Sequence, residues 1–361
     1  MKLPKGFFIF LAVIQAVLTL GHWALYSALV FFFPLATAYH TGLLIALLLW
    51  SFSFLAFSIV TFKVDNPFLR MGYILSAVWI PIWFYLLLAS LISLILQPLG
   101  LHIFVSLIFI LALVLSFYGI LNARYARITT LRVKLPNLPE IWRGKTAVFV
   151  SDLHLGHVLR YGFAGKVIEK INRLKPEIVF IPGDFFDGVE TNFNELANLF
   201  KSVKSAHGIY YVTGNHEEIA GYKICENAIA QAGMKILENT IVSIQGLQIA
   251  GLAYAHESDE SVQQLLHNMN IDRSRPTILL KHVPNHIESV AHAGVSLMLS
   301  GHSHHGQIWP GRHITKAVWK GYDYGLKKFE QLQVFTSSGV GTWGPPMRVF
   351  TKSEIVKIIF E

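Results

Sequence analysis

The sequence predicts an N-terminal all-α bundle of four transmembrane helices followed by a C-terminal α/β domain. Three observations support this fold class. The 361 residues are 53% hydrophobic and only 14% charged, with a mean hydropathy of +0.47, which is too apolar for a wholly soluble protein. Between residues 6 and 122, charged side chains occur only at Lys63, Asp65 and Arg70. After residue 122, short β-branched runs alternate with segments of helical periodicity.

Four apolar stretches are long enough to cross a bilayer. Because a hydrocarbon core of about 30 Å requires about 20 helical residues, we expect membrane-spanning helices at about residues 7–31, 42–62, 72–96 and 102–121. The segments between them carry Pro or Gly, which interrupt helices. No carboxylate or basic group lies inside a span, so we interpret the bundle as a membrane anchor rather than a transport pathway.

Basic residues flank the spans on one side only. They are Lys2, Lys5, Lys63, Arg70, Arg124, Arg127, Arg132 and Lys134. By the positive-inside rule this side is cytoplasmic, so we expect a multi-pass protein of a bacterial inner (cytoplasmic) membrane with both termini and the α/β domain in the cytoplasm. The basic flanks also account for much of the net charge of +8, and no nucleic-acid-binding motif appears, so nucleic acid is excluded as a partner. A single cysteine, Cys225, excludes an intrachain disulfide.

The domain organisation follows from these patterns. We assign residues 1–121 to the transmembrane domain, 122–145 to a linker whose prolines disfavour a continuing helix, and 146–361 to the α/β domain. The α/β domain opens with a strand in "TAVFVSDLH", a helix in "GFAGKVIEKINRLK" and a second strand in "EIVFIPGD". Further strands are expected in "GIYYVTGN", "LQIAGLAY", "PTILLKH", "VSLMLSGH", "LQVFTSSG" and "SEIVKIIF", and further helices near residues 192–204, 221–232 and 259–269.

Five of the expected strands end in side chains that bind metal ions. These side chains are Asp152 and His154, Asp184, Asn215, His282, and His302 with His304, and His216 directly follows Asn215. Because α/β sheets bind ligands at the carboxyl ends of their strands, we expect them to converge on one cleft. Taken singly, each could instead be a turn residue, a helix cap or a hydrogen-bonded polar group.

The mixture of ligand types indicates the metal and the chemistry. Carboxylate and amide oxygens combined with imidazoles suit Mn²⁺, Fe or Zn²⁺ better than Ca²⁺ or Mg²⁺. Seven such ligands are too many for one ion, so two are expected, about 3.5–4 Å apart and bridged by a carboxylate. Such a pair activates a water nucleophile and binds phosphoryl oxygens. The sequence therefore predicts a phosphoester hydrolase.

The motifs "DLH", "GDFFD", "GNHE", "KH" and "GHSH", in this order, resemble those of the calcineurin-like metallophosphoesterase family over about residues 147–358. The resemblance implies a four-layer α/β/β/α sandwich. It implies one metal ion bound by Asp152, His154, Asp184 and His304. It implies a second ion bound by Asp184, Asn215, His282 and His302.

The resemblance also implies the roles of the remaining motif residues. Asp184 would bridge the two ions, and a hydroxide between them would attack phosphorus. His216 would lie near the leaving group as a general acid or charge stabiliser, oriented by the carboxylate of Asp187. The chain departs from the family at His305, where members usually carry Gly. We expect His305 either to contact the substrate phosphate or to be a solvated loop residue, and we favour a structural role for Glu217.

The sequence constrains the substrate only in part. We expect hydrolysis of a phosphodiester or pyrophosphate bond in a phosphorylated small molecule or lipid. The spans keep the domain near the bilayer, and residues 308–328 mix Trp and Tyr with basic side chains, as in proteins that contact lipid headgroups. An ordinary hairpin with exposed charge explains the same segment equally well. The alternative function is a non-catalytic membrane sensor or assembly protein that binds metal and a phosphorylated ligand; the complete ligand set argues against it.

Overall fold

The computed structural model describes residues 5–61, 64, 66–188, 192–255 and 258–361. Lys2, Lys63 and Asp65, which enter the predicted topology, lie outside the described residues. The chain forms two compact units, one comprising Met1–Leu121 with Gly344–Met347 and the other Asn122–Trp343 with Arg348–Glu361.

The first unit contains long apolar helices, which confirm the predicted all-α N-terminal part. They are α1 (Lys5–Phe32), α2 (Thr37–Thr61), α3 (Pro67–Leu96) and α4 (Val105–Ala123). In the described part of the chain these four helices are long and apolar enough to cross a membrane. Helix α3 begins where the sequence provides a cap: Asn66 Oδ1 accepts a hydrogen bond from the Phe68 nitrogen at 2.8 Å, and Pro67 occupies the first position.

His22 is the one imidazole buried in the middle of α1, and its contacts are those of a packing residue. Its ring stacks on Trp83 of α3 at 5.0 Å between centroids. Nε2 accepts a hydrogen bond from Trp79 Nε1 at 2.8 Å, so Nδ1 carries the proton and donates to the Leu18 carbonyl at 2.7 Å. Gly21 permits this approach, because a Cβ there would lie 2.2 Å from the Trp83 ring. Both ring nitrogens of His22 are therefore engaged, and Nε2 together with the stacked ring joins α1 to α3.

The second unit alternates strands and helices. Its strands are β1 (Ala126–Val133), β2 (Thr146–Phe149), β3 (Ile178–Pro182), β4 (Ile209–Val212), β5 (Lys235–Ile236), β6 (Thr240–Ile244), β7 (Leu247–Gly251), β8 (Thr277–Leu280), β9 (Leu297–Ser300), β10 (Gly325–Phe329), β11 (Leu332–Thr336) and β12 (Ser353–Phe360). Its helices are α5 (Tyr161–Arg173), α6 (Phe193–Asn198), α7 (Asn215–Ala220), α8 (Tyr222–Gln231), α9 (Asp259–Asn268), α10 (Ile287–His292) and α11 (Gly311–Val318).

Within the described residues the strands form two six-stranded sheets, in the orders β1-β12-β2-β3-β4-β5 and β10-β11-β9-β8-β7-β6. The sheets pack face to face through a continuous apolar core that includes Phe149, Phe180, Ile249 and Leu299. Helices α5, α6 and α8 cover the outer face of the first sheet, and α9 and α10 cover that of the second. The domain is thus the four-layer α/β/β/α sandwich that the resemblance implied.

Residues 122–145 are not the simple linker that the sequence predicts. They contain β1, which pairs in parallel with β12 along its whole length, from Ala126 opposite Ser353 to Val133 opposite Phe360. Leu131 and Val133 point into the core between the sheets. The two basic residues of this strand, Arg127 and Arg132, are both exposed, which is why the segment resembles a membrane-flanking tail in the sequence.

Candidate metal centre

Five loops bring the expected ligands together. Three follow strands of the first sheet, namely β2, β3 and β4, and two follow β8 and β9 of the second. Among the described residues, three groups of side chains each offer ligand atoms within 4.8 Å of one another. The groups are Asp152, His154 and His304; His154, Asp184 and His216; and Asp184, His282 and His302.

The first side of the site is formed by His154, His304 and Asp152. The two imidazoles face each other with 2.9 Å between their Nε2 atoms. Asp152 Oδ1 lies 3.6 Å from His304 Nε2, and Asp184 Oδ2 lies 3.7 Å from His154 Nε2. Asp152 is completely buried, and its Oδ2 has no hydrogen-bond partner among the described residues.

The second side is formed by His282, His302 and Asn215. Asn215 Oδ1 lies 3.1 Å from His282 Nε2 and 2.9 Å from His302 Nδ1. Asp184 Oδ2 lies 3.1 Å from the same His282 nitrogen. Asp184 therefore faces both sides of the site.

This donor set fits divalent metal ions. A buried carboxylate oxygen without a partner is costly unless a cation or a donor meets it. Two imidazole nitrogens 2.9 Å apart cannot form a hydrogen bond unless one of them carries a proton, whereas both can donate lone pairs to metals. The residues that the motifs single out thus have the chemistry and the proximity of a metal centre.

The ligand loops hold unusual backbone conformations. Asp152, His154, Asp184, His302 and His304 all have positive φ, between 46° and 67°. Such values are uncommon for residues other than glycine and concentrate at functional sites. Neighbouring glycines leave room for these loops: a Cβ on Gly301 would lie 2.2 Å from Asp152 Oδ2.

Glu217 ties two of these loops together. It is fully buried, and its carboxylate accepts hydrogen bonds from the backbone nitrogens of Asp184 at 3.1 Å, Gly214 at 2.7 Å and Phe186 at 3.0 Å. These bonds give Glu217 the structural role that the sequence favours. Burial, reinforced by the Asp184 carboxylate, raises the pKa of Glu217 to about 7.

His216 and Asp187 differ in one respect from the expectation. The backbone nitrogen of His216 donates to Asp184 Oδ1 at 3.0 Å, and its Nδ1 donates to the backbone carbonyl of Asp187 at 2.8 Å. The Asp187 carboxylate instead faces His154, with 3.6 Å between Oδ1 and Nδ1. Asp187 therefore orients His216 through its main-chain carbonyl, while its carboxylate faces His154.

Arg348 contacts the site, although no sequence motif marks it. Its guanidinium is completely buried and donates to the carbonyls of Ser338 at 2.6 Å and Gly341 at 2.7 Å. It also lies 3.2 Å from His304 Nδ1 and donates to the His304 carbonyl at 3.3 Å. Burial lowers the pKa of Arg348 to about 10, so it remains charged at neutral pH. A lone Arg in "GPPMRVF" gives no signal of this role.

Electrostatics distinguish the imidazoles of the second side. Burial opposes the protonation of His282, but the carboxylates of Asp184 and Asp152 outweigh it and raise its pKa to about 9. Its Nδ1 lies 2.9 Å from the Pro182 carbonyl, which fixes the ring. Burial, together with the neighbouring His282, lowers the pKa of His302 to about 3. Before metal binds at neutral pH, one of the two rings is thus charged and the other neutral.

A cavity of about 600 Å³ adjoins the second side of the site. Besides His282 and His302, its walls include Tyr254, Trp319 and Lys281. The Trp319 ring meets the His302 ring edge-on at 5.4 Å.

Trp343 and His305 lie beside the expected ligands and His216. Trp343 is 59% exposed and lies 6.4 Å from the His216 ring, so it borders the site rather than packing in the core. His305 has a φ of 51° and stacks on Tyr324 at 4.2 Å. The loop thus keeps a left-handed conformation at this position although the side chain is not that of glycine.

Residues 145–306 match the family model of the calcineurin-like phosphoesterases. A metallophosphoesterase of Helicobacter pylori is 32% identical over 219 residues, which are 58% of this chain and 57% of that protein. A metallophosphoesterase of Campylobacter jejuni is 32% identical over 263 residues, or 70% of this chain and 68% of that protein. A Danio rerio transmembrane protein with metallophosphoesterase domain is 27% identical over 278 residues, or 70% and 61%. The chain therefore spans between 57% and 68% of the length of these relatives.

Proposed function

This chain belongs to the calcineurin-like metallophosphoesterase family, and we propose that it is a membrane-anchored phosphoesterase that hydrolyses a phosphodiester or pyrophosphate bond with two divalent metal ions. The observation that carries the proposal is the position of Asp184. Its Oδ2 lies 3.1 Å from His282 Nε2 and 3.7 Å from His154 Nε2. One carboxylate that faces both groups of ligands is what a dinuclear centre requires.

We assign the ligands by the two sides of the site. One ion would be held by Asp152, His154, Asp184 and His304, and the other by Asp184, Asn215, His282 and His302. This set suits Mn²⁺, Fe or Zn²⁺. When bound, the ions supply Lewis acidity for the phosphoryl oxygens and generate a nucleophile from water at neutral pH.

The chain's own groups then orient and protonate the substrate. The Nδ1 atom of His216 is engaged by the Asp187 carbonyl, which leaves Nε2 to meet the leaving-group oxygen. Burial, reinforced by the nearby His154, lowers the pKa of His216, so the negative charge of a bound phosphoester is what would favour the protonated ring. His216 then donates its proton to the departing oxygen. Asp187 acts by positioning His216 and His154.

The cavity beside His282 and His302 would receive the part of the substrate beyond the scissile phosphate. Tyr254 and Trp319 provide aromatic walls, and Lys281 and Asn285 a polar end. An apolar body with few polar groups is typical of sites for small organic groups.

The proposed substrate is linked to a lipid. The four apolar helices, within residues 1–121, would anchor the protein in a bacterial inner membrane, with the catalytic domain, residues 146–361, on its cytoplasmic face. Helix α11 supports contact with lipid, because Ile314 and Val318 are 65% and 60% exposed and lie one turn apart. Trp309, before the helix, is 37% exposed.

The test is hydrolysis of a chromogenic phosphodiester by the full-length protein in detergent with Mn²⁺. We expect turnover that chelator abolishes and that Asp184→Asn lowers by more than about 100-fold, equivalent to about 2.7 kcal/mol of transition-state stabilisation. Asp272→Asn, which changes an exposed carboxylate outside every motif, is the matched control and should retain the parent rate. Adding a lipid tail to the substrate should raise activity; indifference to the tail would reject the lipid-linked substrate.

The alternative is a membrane sensor or assembly protein that binds metal and a phosphorylated ligand without turnover. Stoichiometric metal binding and ligand retention, with no product from any phosphodiester or pyrophosphate tested, would favour it over the enzyme. The exposed position of Trp343 beside His216 favours an open site that admits and releases substrate.

A further inference from the structure

A cavity of about 350 Å³ lies between α11 and β10, and none of the proposed metal ligands lines it. We call it the basic cavity. Its walls include His305, Arg312, His313, Lys316, Asp323 and Lys327.

The charges in the basic cavity are unbalanced. Among the described residues, none of Arg312, Lys316 and Lys327 has a salt bridge to a carboxylate. Asp323 is the acidic group in the wall, but it is 5% exposed and its Oδ2 accepts a hydrogen bond from Thr315 Oγ1 at 3.2 Å. Asp323 therefore holds α11 in place, and three cations face one negative charge that is already engaged.

The three cations come from two neighbouring elements, α11 and β10. Arg312 and Lys316 are four residues apart on α11, so they lie on the same side of the helix. Lys327 lies in β10, where alternation puts its neighbour Lys328 on the opposite face. The His305 ring lies flat on Tyr324, with 9° between the ring planes.

We propose that the basic cavity is a second anion site, which binds an oxyanion of the phosphate class. A guanidinium offers paired donors that match two phosphate oxygens, and the two ammonium groups add point charges from the neighbouring element. The imidazoles of His305 and His313 can donate further hydrogen bonds. Binding in the basic cavity requires neither a bound metal ion nor turnover. The inference therefore goes beyond the proposed function and can be tested independently of hydrolysis.

Two sources could supply this anion. One is a soluble phosphate, including a further phosphate on the substrate, and the other is the headgroup of an anionic lipid. Both present the same oxygens to Arg312, Lys316 and Lys327. The order of the chain places the cavity wall next to the metal site, since His305 directly follows His304.

Lysine modification in the full-length protein tests the proposal. The chelator-treated protein in detergent is labelled with an amine-reactive reagent, with and without inorganic phosphate, and peptides are quantified by mass spectrometry. At about ten times the dissociation constant, phosphate should slow labelling of Lys316 and Lys327 about tenfold, because the free fraction of the site is 1/(1 + [L]/Kd). Lys328 is the internal control and should not change. Chloride at the same ionic strength corrects for screening.

A parallel arm identifies the source. The protein is placed in nanodiscs of phosphatidylcholine, with or without phosphatidylglycerol, and labelled without added phosphate. Protection of Lys316 and Lys327 only in the anionic nanodiscs identifies a lipid headgroup, and protection only on adding phosphate identifies a soluble anion. Arg312→Gln should weaken the protection in either case, while unreactive Cys225 reports that the domain is still folded.

Three results would overturn the proposal. The first is equal labelling of Lys316 and Lys327 under all conditions. The second is equal protection of Lys328, which would indicate general screening. The third is full protection in a folded Arg312→Gln variant. Loss of hydrolysis bears on none of these, since all labelling is done on chelated protein.

Discussion

Replacing Gly214 by alanine tests how tightly the metal loops are packed. Gly214 immediately precedes α7, and a Cβ built on it lies 2.2 Å from Asp184 Oδ1 and 2.5 Å from the Asp184 nitrogen. Non-bonded heavy atoms prefer separations of about 3.5–4.0 Å, so Asp184 or Gly214 would have to move by about 1 Å. Both belong to loops that Glu217 ties together, so the shift cannot be confined to one side chain.

The size of the effect follows from that overlap. Forcing extra atoms into a packed interior costs about 1–3 kcal/mol. For a domain of this size each kcal/mol lowers Tm by about 2–4 °C, so we expect a fall of about 2–12 °C. Misplacement of a reacting group by about 1 Å costs about 100-fold in rate. Asp184 is the carboxylate that the two proposed ions share, so Gly214→Ala should also lower kcat about 100-fold and weaken metal binding.

Unfolding of the second unit can be followed in the whole protein. Cys225 in α8 is the only cysteine and is fully buried, so a thiol-reactive dye reports when this unit opens. Gly165→Ala in α5 is the matched control, because a Cβ there has nothing within 4 Å. As a Gly-to-Ala change in an exposed helix, it should stabilise by about 0.5–1 kcal/mol.

Gly214→Ala is therefore expected to lower Tm and Gly165→Ala to raise it. A Gly214→Ala protein with the parent's Tm and metal content would refute the packing of the loop against Asp184. A lowered Tm with unchanged metal content would show that the site tolerates displacement of this carboxylate, which contradicts a shared ligand.

Three further predictions concern titration and burial. The pKa of Glu217 is raised from 4.5 to about 7, so its ionisation destabilises the metal-free fold as pH rises from about 5 to 8. Over this range the Tm of Glu217→Gln should therefore fall less than that of the parent protein. Parallel plots of Tm against pH for the two proteins would contradict this prediction. His282 must lose its proton to bind metal, so metal affinity should rise about tenfold per pH unit up to about pH 9. Competition with a chromophoric chelator measures this affinity, and an affinity independent of pH would argue against His282 as a ligand. In Arg348→Lys the lysine cannot reproduce the hydrogen bonds of the guanidinium to the Ser338 and Gly341 carbonyls. The free energy of unfolding, measured with the thiol-reactive dye, should fall by more than about 2 kcal/mol. The control Arg173→Lys, at an exposed position, should change it by less than about 0.5 kcal/mol.

The strands that carry the ligands could be predicted because each is a short, buried apolar run that ends in a polar motif. β3 and β8, for example, are buried at every position. The four long apolar helices could be predicted equally directly, since long runs without charge are evident in the sequence. In both cases the signal lies within a few consecutive residues.

The elements that the sequence did not predict depend on distant partners. β1 is identified as a strand only by its pairing with β12, more than 200 residues later. β10 has exposed lysines and no buried alternation, and it exists because it pairs with β11. Arg348 and the main-chain role of Asp187 are likewise set by the path of neighbouring loops, which a local motif does not contain.

The ligand motifs and the shape of the site therefore have different origins. Positive φ at Asp152, Asp184 and His302 costs free energy that a short peptide with the same motif would not sustain. In this fold the cost is offset by hydrogen bonds from outside the ligand set, such as those of Glu217 to the loops after β3 and β4 and those of Arg348 around His304. The motifs determine which atoms can bind metal, while residues without a motif hold those atoms within reach of one another.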